Sequence, residues 1–179
     1  MDYRINGLGS VMKTFKPGEL VLLAGRPDSG MTALAAETAE YLVSEEEQDV
    51  VFFSLQHEKQ DLTDKYFTNP DKEKLVIDDT AGISITEVRN RCTRLSRERK
   101  NKWIFIDSLP LMSGSKCCDT RVGELQEIVR ELRKLAIESG SVILVTVPLS
   151  KHPDSRPTIR DLRDYGLELD KDVDQVVLI

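Results

Sequence analysis

The stretch that organises this chain is GRPDSGMT, residues 25–32. Before it, the continuous apolar run ELVLLA at 19–24 predicts a buried strand. After it, apolar residues recur at helical spacing over 33–44, which predicts a helix with one apolar face. A strand, a loop bracketed by two glycines and a helix are therefore predicted in succession.

This succession is the P-loop layout, G-x-x-x-x-G-K-[ST], in which backbone N–H groups cradle phosphates and the hydroxyl binds Mg²⁺. Every fixed position matches except one, because Met31 stands where the lysine belongs. The alternative for the loop alone is a strand–turn–helix unit that binds no nucleotide. The predicted nucleotide loop consists of Gly25, Arg26, Pro27, Asp28, Ser29, Gly30, Met31 and Thr32.

The missing lysine removes a positive charge, and Asp28 adds a negative one within the loop. A unit charge pair ~4 Å apart contributes on the order of 4 kcal/mol at an effective dielectric constant of about 20. Realised only in the transition state, that energy corresponds to about three decades of rate. We therefore expect weak nucleotide binding without efficient hydrolysis.

The rest of the chain alternates apolar strands with amphipathic helices. Further strands are predicted at 49–55, 74–79, 102–107, 141–147 and 174–179, and further helices at 58–66, 84–99, 122–139 and 159–164. Uniformly apolar strands in this alternation predict an α/β fold, with a mainly parallel sheet covered by helices on both faces. With 179 residues, we expect a single domain, 1–179, with a lead-in over 1–18.

Composition narrows the function classes. The net charge of -6 argues against broad electrostatic binding to nucleic acid, although it leaves a local basic loop open. No signal peptide is visible and no apolar run approaches the ~20 residues of a membrane span, so we expect a cytoplasmic protein without membrane contact. The adjacent Cys117 and Cys118 are interpreted as reduced thiols, and His57 and His152 as isolated side chains.

A second acidic motif supports the loop. The strand KWIFID at 102–107 ends in Asp107, as a Walker-B strand does when its aspartate helps to hold Mg²⁺. Any buried strand can end in an aspartate, so the motif is weak by itself. Together with the upstream loop, it makes Thr32 and Asp107 the predicted Mg²⁺ ligands.

Longer segments carry a family resemblance. They are KPGELVLLAGRPDSGMTALA (16–35), VVFFSLQ (50–56), VIDDTAGISITEVRNRCTRLSRE (76–98), WIFIDSLPLM (103–112), RVGELQEIVRELRKLA (121–136) and RPTIRDLRDYGLELDKDVDQVVL (156–178). In this order they resemble the C-terminal, RecA-like ATPase domain of DnaB-type replicative DNA helicases. The resemblance covers nearly the whole chain, and it implies ATP and Mg²⁺ as cofactors and a role in DNA replication.

The resemblance also implies a DNA-contacting segment. Arg163, Asp164 and Gly166 lie where the family's R-E-S-G loop contacts the backbone of single-stranded DNA. Asp164 replaces the family's glutamate, and Tyr165 replaces its serine. An exposed helix-end charge without a ligand is the alternative interpretation of Arg163.

Departures from the family cluster at the positions that carry its chemistry. Besides Met31, Gln56 stands at the position of the general-base glutamate, and an amide cannot take a proton from water at neutral pH. Pro110 and Pro148 replace two glutamines. The segment between Leu55 and Ile77 is short, and the family's N-terminal domain, linker helix, C-terminal strands and arginine-finger hairpin are not represented, so we expect a truncated, degenerate form.

Three functional hypotheses follow. The first is a pseudo-ATPase that acts by binding a replicative helicase subunit, a second copy of itself or single-stranded DNA. The second is a working ATP-dependent helicase or translocase in which Lys13 or Lys16 reaches the phosphates from the lead-in. The third is a decayed fragment without a separate function.

Overall fold

A computed structural model describes residues 12–68, 73–96, 102–115, 118–149, 156–167 and 169–179. Its strands are β1 Leu20–Gly25, β2 Asp49–Ser54, β3 Leu75–Asp78, β4 Lys102–Asp107, β5 Val142–Pro148 and β6 Gln175–Leu178. They form one sheet in the order β3-β2-β4-β5-β1-β6. Each described pair of neighbouring strands is parallel, which confirms the predicted parallel sheet.

The α-helices of the described residues are α1 Met31–Ser44, α2 Lys59–Tyr66, α3 Ile85–Ser96, α4 Arg121–Ser139 and the short α5 Leu169–Asp172. Two 3-10 helices, Leu109–Leu111 and Ile159–Tyr165, complete the set. The sequence predicts each of the long helices to within a few residues at their described ends. It predicts neither α5 nor Leu109–Leu111, because such short helices contain too few residues to show a period.

Both faces of the sheet are buried. Leu20, Leu22 and Ala24 of β1 belong to the apolar cluster that includes α3 and α4. The alternate residues Val21 and Leu23 belong to the cluster on the other face, with α1 and α2. Successive side chains of a strand point to opposite faces, so burial on both sides requires the continuous apolar run seen in the sequence.

Helix α4 shows how local sequence sets an element. The Thr120 side chain accepts a hydrogen bond of 3.1 Å from Gly123 N at its start, and Gly140 adopts a left-handed φ of 64° after its end. Its apolar face is buried against the sheet through Leu125, Ile128, Val129, Leu132, Leu135 and Ala136. Among the described helices, none is both long and apolar enough to cross a bilayer.

The lead-in packs at the edge of the sheet where the strands begin. The ring of Phe15 lies 6.2 Å from that of Trp103, near the start of β4. Gly18 N donates a hydrogen bond of 3.0 Å to Ser141 O, immediately before β5. The described part of the lead-in, residues 12–18, is therefore held at the amino-terminal edge.

This placement corrects the idea that a lead-in lysine replaces the loop lysine. Lys13 and Lys16 are exposed at the amino-terminal edge, whereas the GRPDSGMT loop follows the carboxyl end of β1. The six residues of β1 span about 20 Å, which is several times the reach of a lysine side chain. Within one molecule, the hypothesis of Lys13 or Lys16 reaching the phosphates is wrong.

Candidate nucleotide site

The strands of the parallel sheet end at one common edge, and the predicted site residues gather there. Ser54 and Asp107 are register partners at the ends of β2 and β4, and Gln56 follows two residues after Ser54. Gly25 and Pro148 are partners at the ends of β1 and β5. Ligands of open α/β sheets bind outside the carboxyl ends of the strands, so this edge is the expected place for a ligand.

The nucleotide loop connects β1 to α1 with a backbone that requires specific residues. A Cβ on Gly25 would lie 2.5 Å from Ser29 Oγ and 2.8 Å from Ile179 Cγ1, so a side chain there would have to displace both of them. Asp28 and Gly30 adopt left-handed φ values of 65° and 87°. Asp28, Ser29 and Gly30 are exposed, and nothing lies within 4 Å of a Cβ built on Gly30.

The start of α1 is oriented towards this open loop. Leu34 N donates a hydrogen bond of 2.9 Å to Gly30 O and thereby begins the helix. The preceding N–H groups of a helix have no partner within it, and the helix dipole favours negative charge at this end. The loop therefore retains the backbone features by which a phosphate is held.

Met31 lies inside the core. It is only 9% exposed and belongs to the apolar cluster between the sheet and α1. The sequence indicates that Met31 leaves the loop without the positive charge of a lysine. The structure shows in addition that the Met31 side chain packs in the apolar core. Its thioether offers no charge to a phosphate, and a methionine fills such a gap in the core well.

Asp107 is the polar centre of the site. Its side chain is 1% exposed and accepts hydrogen bonds from Thr32 Oγ1 at 2.8 Å, Thr146 Oγ1 at 2.5 Å and Gln56 Nε2 at 3.3 Å. A buried carboxylate is costly unless its oxygens are hydrogen-bonded, and these neutral donors satisfy both of them. The sequence interpretation missed Thr146, although it is the one polar residue in the apolar strand VILVTVP.

Gln56 faces this carboxylate as a donor. Gln56 is exposed to solvent, and its side-chain amide nitrogen donates a hydrogen bond to Asp107. The turn that carries it is held by Leu55 N, which donates to Asp107 O at 2.7 Å, and by Ser54 Oγ, which donates to His57 O at 2.6 Å. Residue 56 therefore places an amide donor, and no carboxylate, beside Asp107.

The donor set fits Mg²⁺ held together with a phosphate, not a cage made by protein alone. Thr32 and Asp107 supply a hydroxyl and a carboxylate 2.8 Å apart, and Mg²⁺ takes one or two such ligands with water and phosphate oxygens. In the described part of the chain, no cluster of three or more His, Cys, Asp or Glu side chains could hold a metal. Cys92 and Cys118 form no disulfide there, whereas Cys117 and His152 lie outside the described residues.

Pro110 and Pro148 both lie within regular elements of the fold, and the carbonyl of each accepts a hydrogen bond. Pro148 closes β5, and the ladder resumes directly after it because Leu149 N donates to Gly25 O at 2.8 Å. Pro148 O accepts a hydrogen bond from the Tyr165 hydroxyl. Pro110 lies in the 3-10 helix Leu109–Leu111, and its carbonyl accepts from Arg121 Nη2 at 2.8 Å.

The predicted DNA-contacting residues lie on the second 3-10 helix, Ile159–Tyr165, and immediately after it. Arg163 is exposed, and Gly166 ends the helix with a left-handed φ of 65°. For Asp164 only the backbone is described. This helix lies beside the nucleotide loop, because Arg26 Nη2 is 3.1 Å from Asp161 Oδ2. Sequence reasoning missed Asp161, since nothing local marks it as a partner of the loop.

Comparison with known proteins identifies the family. The sequence matches the DnaB-like helicase C terminal domain over residues 1–72 and 65–179. The replicative DNA helicase DnaC of Bacillus subtilis (strain 168) is 31% identical over 193 residues, which cover 89% of this chain and 42% of the helicase. DnaB of Rickettsia bellii (strain RML369-C) is 30% identical over 214 residues, which cover 96% and 43%. The chain spans less than half the length of these two relatives.

Solved structures agree with the sequence match. One of them, the structure of an ATPase domain, superimposes with a TM-score of 0.80 at 26% identity, covering 92% of this chain and 70% of that one. A DnaB-like replicative helicase, studied with its interactions with primase, gives 0.79 at 26% identity, covering 92% and 47%. A KaiC-like protein of Pyrococcus horikoshii OT3, at 22% identity and a TM-score of 0.66, shares the RecA-like fold. The chain therefore belongs to the DnaB-like helicase C-terminal domain family.

Proposed function

We propose that this chain is a pseudo-ATPase of the DnaB type, which works in the cytoplasm in DNA replication by binding and not by hydrolysis. One observation carries the proposal: Gln56 donates its amide to Asp107 at 3.3 Å where the resembled family has its general base. The burial of Met31 supports it, because no lysine side chain reaches the loop from position 31. Both changes remove groups that hydrolysis needs and leave the fold in place.

Nucleotide binding is retained in this proposal, in a weak form. The loop presents its open backbone and the amino-terminal end of α1 to a phosphate. Thr32 and Asp107 would hold Mg²⁺, which supplies positive charge against the phosphate oxygens when it is bound. The chain's own residues then position the ligand, and Gln56 orients water without accepting its proton.

Phosphate release by the purified chain tests the loss of hydrolysis. We expect no release above the background rate with ATP and Mg²⁺, with or without a single-stranded oligonucleotide. Titration with a fluorescent ATP analogue is expected to show weak binding that Mg²⁺ strengthens. Release of phosphate that rises on addition of DNA would overturn the pseudo-ATPase proposal.

The binding partners are proposed from the family. A replicative helicase subunit or a second copy of this chain is one partner, and single-stranded DNA is the other. For DNA, exposed Arg163 is the contact proposed here. Fluorescence anisotropy of a labelled oligonucleotide at low salt is expected to show binding that Arg163→Gln weakens and Arg94→Gln, at an exposed position on α3, leaves unchanged. An equal loss of affinity in both variants would show a general effect of net charge. If the chain does not bind the oligonucleotide at all, single-stranded DNA is not its partner.

A further inference from the structure

An ion pair joins the nucleotide loop to the 3-10 helix Ile159–Tyr165. Arg26 Nη2 lies 3.1 Å from Asp161 Oδ2, and the two side chains are only 17% and 21% exposed. A charge-assisted hydrogen bond shielded from solvent in this way is stronger than an ion pair on the open surface. It links residues 135 positions apart in sequence.

The same oxygen of Asp161 also holds the start of that helix. Thr158 N donates to Asp161 Oδ2 at 2.9 Å, and Thr158 and Asp161 form a reciprocal capping box. Anything that displaces the Asp161 carboxylate from Arg26 therefore acts directly on the first turn of the helix.

The far end of the segment is held by elements other than the loop. Gly166 O accepts a hydrogen bond from Gln126 Nε2 of α4, and the Tyr165 hydroxyl donates to Pro148 O at the end of β5. Arg163 is exposed between the two anchored ends. Of these described anchors, the Arg26–Asp161 pair is the one that belongs to the nucleotide loop.

We propose that Arg26 and Asp161 form a latch through which a polyphosphate in the loop loosens the segment 158–166. Negative charge in the loop attracts the Arg26 guanidinium and repels the Asp161 carboxylate, so both effects weaken the ion pair. The proposal rests on the proposed function for the identity of the anion. Coupling of this kind is reciprocal, so a ligand that prefers the loosened segment raises the affinity of the loop by the same factor.

Hydrogen exchange of the full chain tests the latch, with ATP and Mg²⁺ as the probe. We expect ATP to accelerate exchange over 158–166 by about tenfold, the factor that corresponds to losing one charge-assisted hydrogen bond. Asp161→Asn removes the ion pair but keeps an oxygen for the cap, so it should accelerate exchange without ATP and abolish the response to ATP. Asp161→Ala removes both interactions and should accelerate exchange further.

Arg91→Gln is the matched control, because it breaks another partly buried pair, with Asp78, far along the sheet. It should leave the exchange of 158–166 and its response to ATP unchanged. Bound ATP, verified by calorimetry, without a change in exchange would overturn the latch and leave the proposed function standing. Failure of ATP to bind would overturn nucleotide binding and the latch together. If the hydrogen exchange of 158–166 in Asp161→Asn equals that of the unsubstituted chain, the ion pair does not hold the segment, and the latch is overturned whether or not ATP binds.

Discussion

Gln56 Nε2 lies 3.3 Å from Asp107 Oδ1, so an amide donor faces a buried carboxylate at the centre of the site. The carboxylate receives further donors from Thr32 and Thr146. In this arrangement the acid is satisfied by neutral groups and is stable without a neighbouring cation.

Gln56→Glu is expected to destabilise the chain by about 1 kcal/mol, because a second carboxylate would face Asp107. The loss is small because residue 56 is exposed and solvent screens the repulsion between the two carboxylates. Urea unfolding measures the loss. Mg²⁺ should recover part of it if Thr32 and Asp107 hold the ion. Gln60→Glu is the control: Gln60 donates to Asp64 at 2.8 Å, but both residues are exposed. An equal loss in the two variants would contradict a special role of Asp107.

Met31→Lys is expected to lower the stability of the ligand-free chain by about 1–3 kcal/mol, because it replaces a side chain of the apolar core by an ammonium group. It should at the same time strengthen nucleotide binding, since the charge has the phosphates as a partner. Met31→Leu keeps the volume and should cost less than about 1.5 kcal/mol. Thermal unfolding with and without ATP separates the two effects. A stabilised ligand-free Met31→Lys chain would disprove the structural role of the buried methionine.

Thr146→Val keeps the shape of the side chain and removes a buried donor to Asp107. We expect a loss of about 1–3 kcal/mol, because the carboxylate stays buried with one partner fewer. Thr38→Val is the matched variant, because the buried hydroxyl of Thr38 donates to the Leu34 carbonyl of the same helix. That acceptor is a neutral carbonyl and not a carboxylate, so the loss of stability should be smaller. The comparison is made by chemical denaturation, and a smaller loss for Thr146 than for Thr38 would argue against Asp107 as a charged centre.

Acid should release the loop that follows Leu109–Leu111. Gly114 N donates to Glu124 Oε1 at 2.8 Å, and this bond, assisted by Arg121, lowers the pKa of Glu124 from 4.5. A depressed pKa in the folded chain adds stability that is present above the pKa of the unfolded chain and is lost as pH falls through the folded value. Above about pH 4.5, Gly114 N–H should therefore exchange more slowly in this chain than in Glu124→Gln. Below that pH the difference between the two chains should disappear. A pH-independent difference between the two chains would contradict this assignment.

The sequence by itself determined the strands and the long helices of this fold and the two motifs of its site. The continuous apolar runs required strands buried on both faces, and a parallel sheet between two helical layers satisfies that requirement. The glycines of the loop, the absence of its lysine and the acid at the end of β4 were equally visible. Each of these features depends on residues that are close together in the chain.

Only the tertiary structure decided which distant side chains meet. Thr146 reaches Asp107 because β5 lies beside β4, and Arg26 reaches Asp161 across 135 residues because the 3-10 helix returns to the loop. The burial of Met31 and the placement of Lys13 and Lys16 at the opposite edge also follow from the packed sheet. Contacts of this kind depend on strand order and on how elements pack, and no local pattern of hydrophobicity or propensity encodes either of them.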